Sequence, residues 1–423
     1  MRLNKKIKVM ALVTTALLMV ALLLSSACAG APPAEAPEKT VKVGYMAFST
    51  GPVGDCGLPA TMIAADYFRW INQHGGIDGV AIDYMWIDHG YEVPRSIAAY
   101  QRIREWGAKI IWSFGTTPND AIMQMAKEDG MPIMAWGGTS ELFWPPHVFF
   151  CTYMGYSEEA RAALVWVKEN VPGLPAKPKV GMIFSDDAFG WASAHGPLYY
   201  GDVDGYEVVA HELLGHGALD AATPVRNVIN AGADIMLLHY TAGTNAVVVR
   251  DAIRLGFKGP IISTPQALDF ALGDLSEGAA EAENVYWLTY HHIIEEKLPA
   301  VEPIAEMLRA YHPDVDPYHP HPSKCWEHGI IAPFAVVEGI RAAISQFGYE
   351  NLTHANIIKG LESLSNLDAY GFQPMGFSPD DHRGSTEMAV FRLEGGNFKL
   401  VGDFFEAPEP ADWKKQGNFK WAK

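Results

Sequence analysis

Residues 41–88 read VKVGYMAFSTGPVGDCGLPATMIAADYFRWINQHGGIDGVAIDYMWID, and their pattern decides the fold class. Val41 to Phe48 is a short apolar run with β-forming residues. Leu58 to His74 places Ile63, Tyr67, Trp70 and Ile71 on one face at helical spacing, and Gly75-Gly76 stops it. Val80 to Asp88 is again a strand. A strand, a helix and a second strand within 48 residues form a βαβ unit, which needs a parallel pair with the helix laid across it.

The same alternation continues outward. Pro94 to Trp106 reads as helix, Lys109 to Phe114 as strand, Pro118 to Asp129 as helix and Pro132 to Trp136 as strand. After a break near Phe149 to Tyr156 the series restarts. Helices are predicted at Glu158 to Asn170, near Trp191, at Pro224 to Ala231 and at Thr244 to Leu255. Strands are predicted at Lys179 to Ser185, Tyr206 to Leu213, Asp234 to Tyr240 and Pro260 to Ser263. The expected class is therefore α/β, with two doubly wound parallel-sheet lobes. Beyond them come a strand at Asn284 to His291 and helices at Val301 to Tyr311, Trp326 to Phe347 and His354 to Leu364. A strand pair, Glu387 to Leu393 and Phe398 to Asp403, turns at Gly395-Gly396. Periodicity alone does not say which lobe these later elements join.

The chain has 423 residues, 49 acidic against 32 basic, a formal charge of −17 and 49% hydrophobic residues. That composition excludes a disordered chain and gives no basic surface for nucleic acid. Arg2, Lys5, Lys6 and Lys8 precede the apolar run Val9 to Leu24, and Ser25-Ser26-Ala27-Cys28 follows. This is a secretion signal, and small residues before a cysteine resemble a bacterial lipobox, with Cys28 lipidated as the new N-terminus. Ser25 stands where the lipobox usually has Leu. Cleavage would take the charge from −17 to −21. Residues 1–27 are thus expected as signal peptide and 28–40 as a Pro/Ala-rich tether to a membrane surface. Of the remaining cysteines, Cys56, Cys151 and Cys325, at most one pair can form. Buried free thiols are expected, with Cys56 to Cys151 the pairing considered.

Val41-Lys42-Val43-Gly44, Ser49-Thr50-Gly51-Pro52 and Ile71 through Gly79 (INQHGGIDG) resemble the opening of the periplasmic leucine/isoleucine/valine-binding family. Phe184 through Gly190 (FSDDAFG), Gly232-Ala233-Asp234-Ile235, and Ala369-Tyr370-Gly371-Phe372 through Phe377-Ser378-Pro379 follow in order, so the similarity spans about residues 41 to 403. The resemblance implies a type I periplasmic-binding fold with three hinge crossovers, near Thr152 to Ser157, Tyr286 to His292 and Gly371 to Phe377. Lobe 1 would be 41–153 plus 290–372, and lobe 2 would be 154–289 plus 373–423. It also implies a solute-binding lipoprotein that delivers a small-molecule ligand to the membrane permease and ATPase of an ABC importer, as a monomer, without a cofactor or metal.

In open parallel sheets, ligands sit beyond the carboxyl ends of strands, where helix N-termini offer free N–H groups. Gly115-Thr116-Thr117-Pro118 ends one strand and starts a helix, with Thr117 as N-cap and Pro118 first in the helix. Trp136-Gly137-Gly138-Thr139 ends the next. Both match the places where the family holds a ligand carboxylate. From the second lobe the resemblance carries over Phe189 and Tyr240. At Thr264-Pro265-Gln266 the family commonly has an acid that pairs with an α-ammonium, and Gln266 stands there instead. A buried ammonium without an anion costs several kcal/mol. An ordinary amino acid ligand is thereby in doubt unless Asp269 faces the cleft. Otherwise a carboxylate or amide without an ammonium fits, with Trp136, Tyr153 and Trp191 suited to a flat apolar group.

Enzyme signals are weak. In His211-Glu212-Leu213-Leu214-Gly215-His216 the histidines are five apart on a strand pattern, not four apart on a helix, so the zinc-protease reading fails. His312, His319, His321, Cys325 and His328 offer a metal-dependent hydrolase as an alternative, and a sensing receptor of the same fold is another. His291-His292, at an expected crossover, is a candidate to read pH or a carboxylate.

Overall fold

Parallel strands buried on both faces need apolar side chains on both faces, and Ile110–Phe114, Ile235–His239 and Val285–Thr289 are buried at every position. In the computed structural model, which describes residues 39–143, 145–267, 284–321, 323–394 and 397–408, such strands form the centres of two sheets. The signal, Cys28, residues 29–38 of the expected tether and Asp269 lie outside the described residues, while Lys39 and Thr40, expected in the tether, begin the first strand.

The first sheet has the order β2-β1-β3-β4-β5. It is built from β1 (Lys39–Ala47), β2 (Val80–Asp88), β3 (Ile110–Phe114), β4 (Ile133–Trp136) and β5 (Phe149–Cys151). Three helices interleave with them: α1 (Gly54–Gln73), α2 (Val93–Trp106) and α3 (Thr116–Asp129). The chain then passes through α4 (Tyr156–Asn170), β6 (Lys179–Phe184), α5 (Ala188–Asp204), β7 (Glu207–Leu213), α6 (Ala222–Asn230), β8 (Ile235–His239), α7 (Ala242–Arg254) and β9 (Ile261–Ser263).

β10 (Val285–Thr289) extends this second sheet in parallel. After α8 (Glu302–Tyr311), α9 (Cys325–Phe347), α10 (His354–Glu362) and the two-residue strands β11 (Leu367–Asp368) and β12 (Pro374–Met375), the hairpin β13 (Glu387–Glu394) and β14 (Asn397–Glu406) closes its edge antiparallel. The order is β14-β13-β10-β9-β8-β6-β7. The late strands therefore join the second sheet, while α9 packs on α1 and α10. α9 is long and apolar enough to cross a membrane, but Cys325, Trp326, Ile330, Ile331, Val336 and Ile340 on it are buried in the protein core.

The α1 to α9 crossing corrects the expectation of free thiols: Cys56 and Cys325 form a disulfide, and Cys151 alone is free and buried. One helical turn past each cysteine lie Ala60 and Gly329, and a Cβ at 329 would run into the Ala60 carbonyl and the Ile63 side chain. Glycine there lets the backbones approach, which brings together cysteines 269 residues apart.

The connecting stretches lie side by side. The Gln373 amide donates to the Thr152 carbonyl at 2.6 Å, the His292 N–H donates to the Phe372 carbonyl at 2.7 Å, and the Gly384 N–H donates to the Cys151 carbonyl at 2.7 Å.

Candidate functional site

A compact, mainly apolar cleft of about 330 Å³, counting its opening to solvent, lies where the carboxyl ends of the two sheets face one another. Phe48 follows β1, Phe114 ends β3 and Thr116 comes just after it, and Trp136 ends β4. From the opposite side come Phe189, which starts α5, Thr241 after β8, and Gln266 after β9. None of the described residues that line it is charged.

Stacked rings make one wall. Phe48 lies 4.2 Å from Phe114 between ring centres, Phe114 lies 3.5 Å from Trp136, and Trp136 lies 4.2 Å from His328 behind it. Facing them, Phe189 stacks on His239 at 3.9 Å. Burial lowers the His239 pKa to about 3 and also lowers that of His328, so both rings are neutral and the stack carries no charge.

The helix α3 begins one residue ahead of the expected cap. Gly115, at φ 105°, is the N-cap, so Thr116 and Thr117 are the first two helical residues, and neither caps the helix. Their hydroxyl oxygens are buried without a hydrogen-bond partner, at the positive end of a 14-residue helix. The Tyr91 phenol is set beside both threonines. Burial raises its pKa, the threonines pull it back, and its backbone holds a positive φ of 64°. A left-handed tyrosine at a cleft wall is a strained position of the sort that collects at binding sites.

Of the residues expected in the site, Thr116, Trp136, Phe189 and Gln266 line the cleft. Thr117 adjoins it. Gly137 has φ 74°, and the Tyr156 hydroxyl occupies the space its Cβ would fill, so the glycine admits that tyrosine instead of a ligand backbone contact.

Other expected residues are engaged elsewhere. The Thr139 hydroxyl donates to Asp120 at 3.4 Å. Tyr153 stacks on Tyr290 at 4.0 Å, among the hinge aromatics behind the cleft. Trp191 donates to Asp186 and packs edge-on against Phe184, because it sits a turn into α5 and faces β6. Tyr240 donates to the Leu214 carbonyl and is buried in the core of the second sheet.

Sequence reasoning missed Tyr91, Tyr156, Thr241 and the buried Glu159 behind Gln266. Their signal was present in part: Tyr156 and Thr241 stand at the start of helices α4 and α7.

The metal-binding alternative finds no geometry. His312 bonds Asp66 at 2.7 Å, His319 faces Glu295, His321 accepts from the Ser323 N–H, Cys325 is in the disulfide and His328 contacts the Tyr290 hydroxyl. Among the described residues, no group of three His, Cys, Asp or Glu is placed to hold an ion. His211 and Glu212 lie on strand β7, and His216 pairs with Asp187. The His291 ring is buried against the His292 carbonyl and does not line the cleft.

A sequence profile described as periplasmic binding protein matches residues 40–397. The chain belongs to the periplasmic binding protein family. Its fold is the type I periplasmic-binding fold, shared with a Thermus thermophilus branched chain amino acid ABC transporter protein with bound valine. That likeness has 22% identity and TM-score 0.79, and covers 88% of this chain and 98% of the other. A fatty acid ABC transporter substrate-binding protein from Thermomonospora curvata matches with 20% identity and TM-score 0.76 over 88% and 94%. A leucine binding protein from Thermotoga maritima matches with 15% identity and TM-score 0.70 over 86% and 99%. At these identities the likeness is one of fold. No curated protein sequence matches this periplasmic binding protein.

Proposed function

We propose that this protein is the extracytoplasmic solute-binding lipoprotein of an ABC importer and that it captures a small organic carboxylate between two lobes. The observation that carries this reading is the N-terminus of α3, where Thr116 lines an uncharged aromatic cleft and Thr117 stands next to it, with the Tyr91 phenol beside both. Hydroxyls and free N–H groups at a helix N-terminus suit an anion, and each hydrogen bond to a charged group contributes about 1.5–3 kcal/mol. The stacked rings of Phe48, Phe114 and Trp136 suit a flat or branched apolar body.

The protein binds and does not transform its ligand. The lobes, 41–153 plus 290–372 and 154–289 plus 373–423, close around it, and the closed form is what the permease recognises. Cys28 carries the lipid that holds the monomer at the membrane, with 28–40 as its tether. Family membership and the acids named for its structural neighbours support the reading.

A thermal-shift screen of the mature protein, with Cys28 replaced, tests it against aliphatic and aromatic acids, amides and amino acids. Ligand at about a thousand times Kd adds roughly 4 kcal/mol, several degrees in Tm. Shifts from carboxylates but not from the matching amides support the carboxylate reading, and shifts from amides alone contradict it.

A further inference from the structure

Behind Gln266, on the first turn of α4, Glu159 is 0% exposed. The Gln266 Nε2 lies 3.4 Å from Glu159 Oε2, while Gln266 Oε1 and Glu159 Oε1 are both buried without a partner. Gln266 lines the cleft from the side of the second sheet, across from Thr116, and Glu159 lies behind it, outside the lining.

The groups that interact with Glu159 are Gln266 after β9, Glu158 on its own helix, Cys151 on β5, Tyr153 and Tyr156 around the start of α4, and Tyr290 after β10. Not one of these described groups is a cation, and residues 268–283, which lie outside the described residues, contain no Lys or Arg in their sequence. A carboxylate fully removed from water with no cation gives up its charge by keeping its proton. Burial drives the Glu159 pKa well above the usual carboxylate range, and the hydrogen bond to Gln266 opposes this only in part.

We propose that the Glu159–Gln266 pair is the specificity filter of this cleft. It presents an uncharged hydrogen-bonding group to the far end of the ligand, and so admits acids that lack an α-ammonium and rejects amino acids. This rests on the carboxylate reading of the α3 end. Glu159 acts through Gln266: its Oε2 accepts from the Gln266 Nε2, which fixes which way the amide turns, and the amide meets the ligand. For Glu159 itself to pair with an ammonium, it would have to ionise inside the wall.

The test uses pairs that differ only in the ammonium: 3-phenylpropionate with L-phenylalanine, and 4-methylpentanoate with L-leucine. Each is added to the mature wild type and to the Glu159→Gln and Glu159→Ala variants in thermal-shift and calorimetric titrations. The expected result is binding of at least one desamino acid at least tenfold tighter than its amino acid. That preference is retained in Glu159→Gln and, since no anion is added, in Glu159→Ala, where the affinity for the desamino acid falls as the Gln266 amide loses its partner. The wild-type affinity falls at alkaline pH as Glu159 loses its proton, and the Glu159→Gln profile stays flat.

Difference infrared spectra at pH 7 should show a protonated-carboxyl band in the wild type that Glu159→Gln removes. A missing band, or an amino acid bound as tightly as its desamino partner, overturns the proposal while leaving the carboxylate reading standing. Binding of none of the four acids overturns the carboxylate reading itself, and the inference with it.

Discussion

Gly137 stands at φ 74° with the Tyr156 hydroxyl where its side chain would begin. Both constraints act on Gly137→Ala, which should lower stability by about 1–3 kcal/mol. In urea denaturation, Tyr156→Ala in the same chain should recover part of that loss, whereas strict additivity of the two costs would show that the tyrosine does not fill the space. Single residues were legible in the sequence where a strand end fixes them: Trp136 ends β4, Thr116 and Gln266 come within three residues of the ends of β3 and β9, and Phe189 follows β6 at the start of α5. Tyr240 misled because it also follows a strand, but its ring turns back into the second core. Glu159 was illegible for a different reason. Nothing in EEARAALV distinguishes an acid on a solvated first turn from one sealed beneath a neighbouring loop.

At the scale of elements, the helices begin about two residues before their apolar pattern does: α3 at Thr116, not Pro118, and α4 at Tyr156, not Glu158. Those first-turn residues face the cleft instead of the core, so hydrophobic periodicity does not register them. One cross-cleft contact joins two such ends. Asp55 on the first turn of α1 accepts from the Gly243 N–H at the start of α7, at 3.1 Å. A carboxylate on a helix N-terminus is favourable, and this one exists only while the two ends are together. Asp55→Ala should weaken ligand binding several-fold in calorimetry with Tm nearly unchanged, and an equal affinity would show that the contact does not favour closure. The disulfide also belongs to this scale, because only the α1 to α9 crossing makes the cysteines neighbours, and spacing in sequence carries no pairing information. Cys56→Ser should lower stability by about 2–4 kcal/mol, read in thermal unfolding. An equal loss on adding reductant to the wild type should follow, and an unchanged Tm in both would argue against the bond in solution.

Across the whole molecule, several buried histidines are neutral. Burial lowers His89 to about 4, His291 to about 4 and His239 to about 3. In the unfolded chain each protonates near its ordinary value of about 6.5, so the unfolded state gains protons first as pH falls. Their contribution is therefore fully present above about pH 6.5 and is lost between there and about pH 4. Unfolding free energy should drop by up to about 4 kcal/mol per pH unit in that window if all three stay neutral in the native state. Urea titrations at pH 7, 6 and 5 measure it, and a flat profile would mean that the rings are protonated or hydrated in the fold. The alternating pattern of residues 41–263 made the two sheets legible at this scale, since buried parallel strands and covering helices have distinct periods. The destination of residues 284–408 was not legible from periodicity, because a strand such as Val285–Thr289, buried on both faces, fits the apolar pattern of either sheet, and the assignment came from the family resemblance alone. The central claim is that an acid is held at the α3 N-terminus between the two sheets. The most direct measurement is a calorimetric titration of the acid found in the screen into wild type and Thr116→Val/Thr117→Val. Affinity should fall at least tenfold while the unfolding midpoint holds, and an affinity unchanged by losing both hydroxyls would place the acid elsewhere.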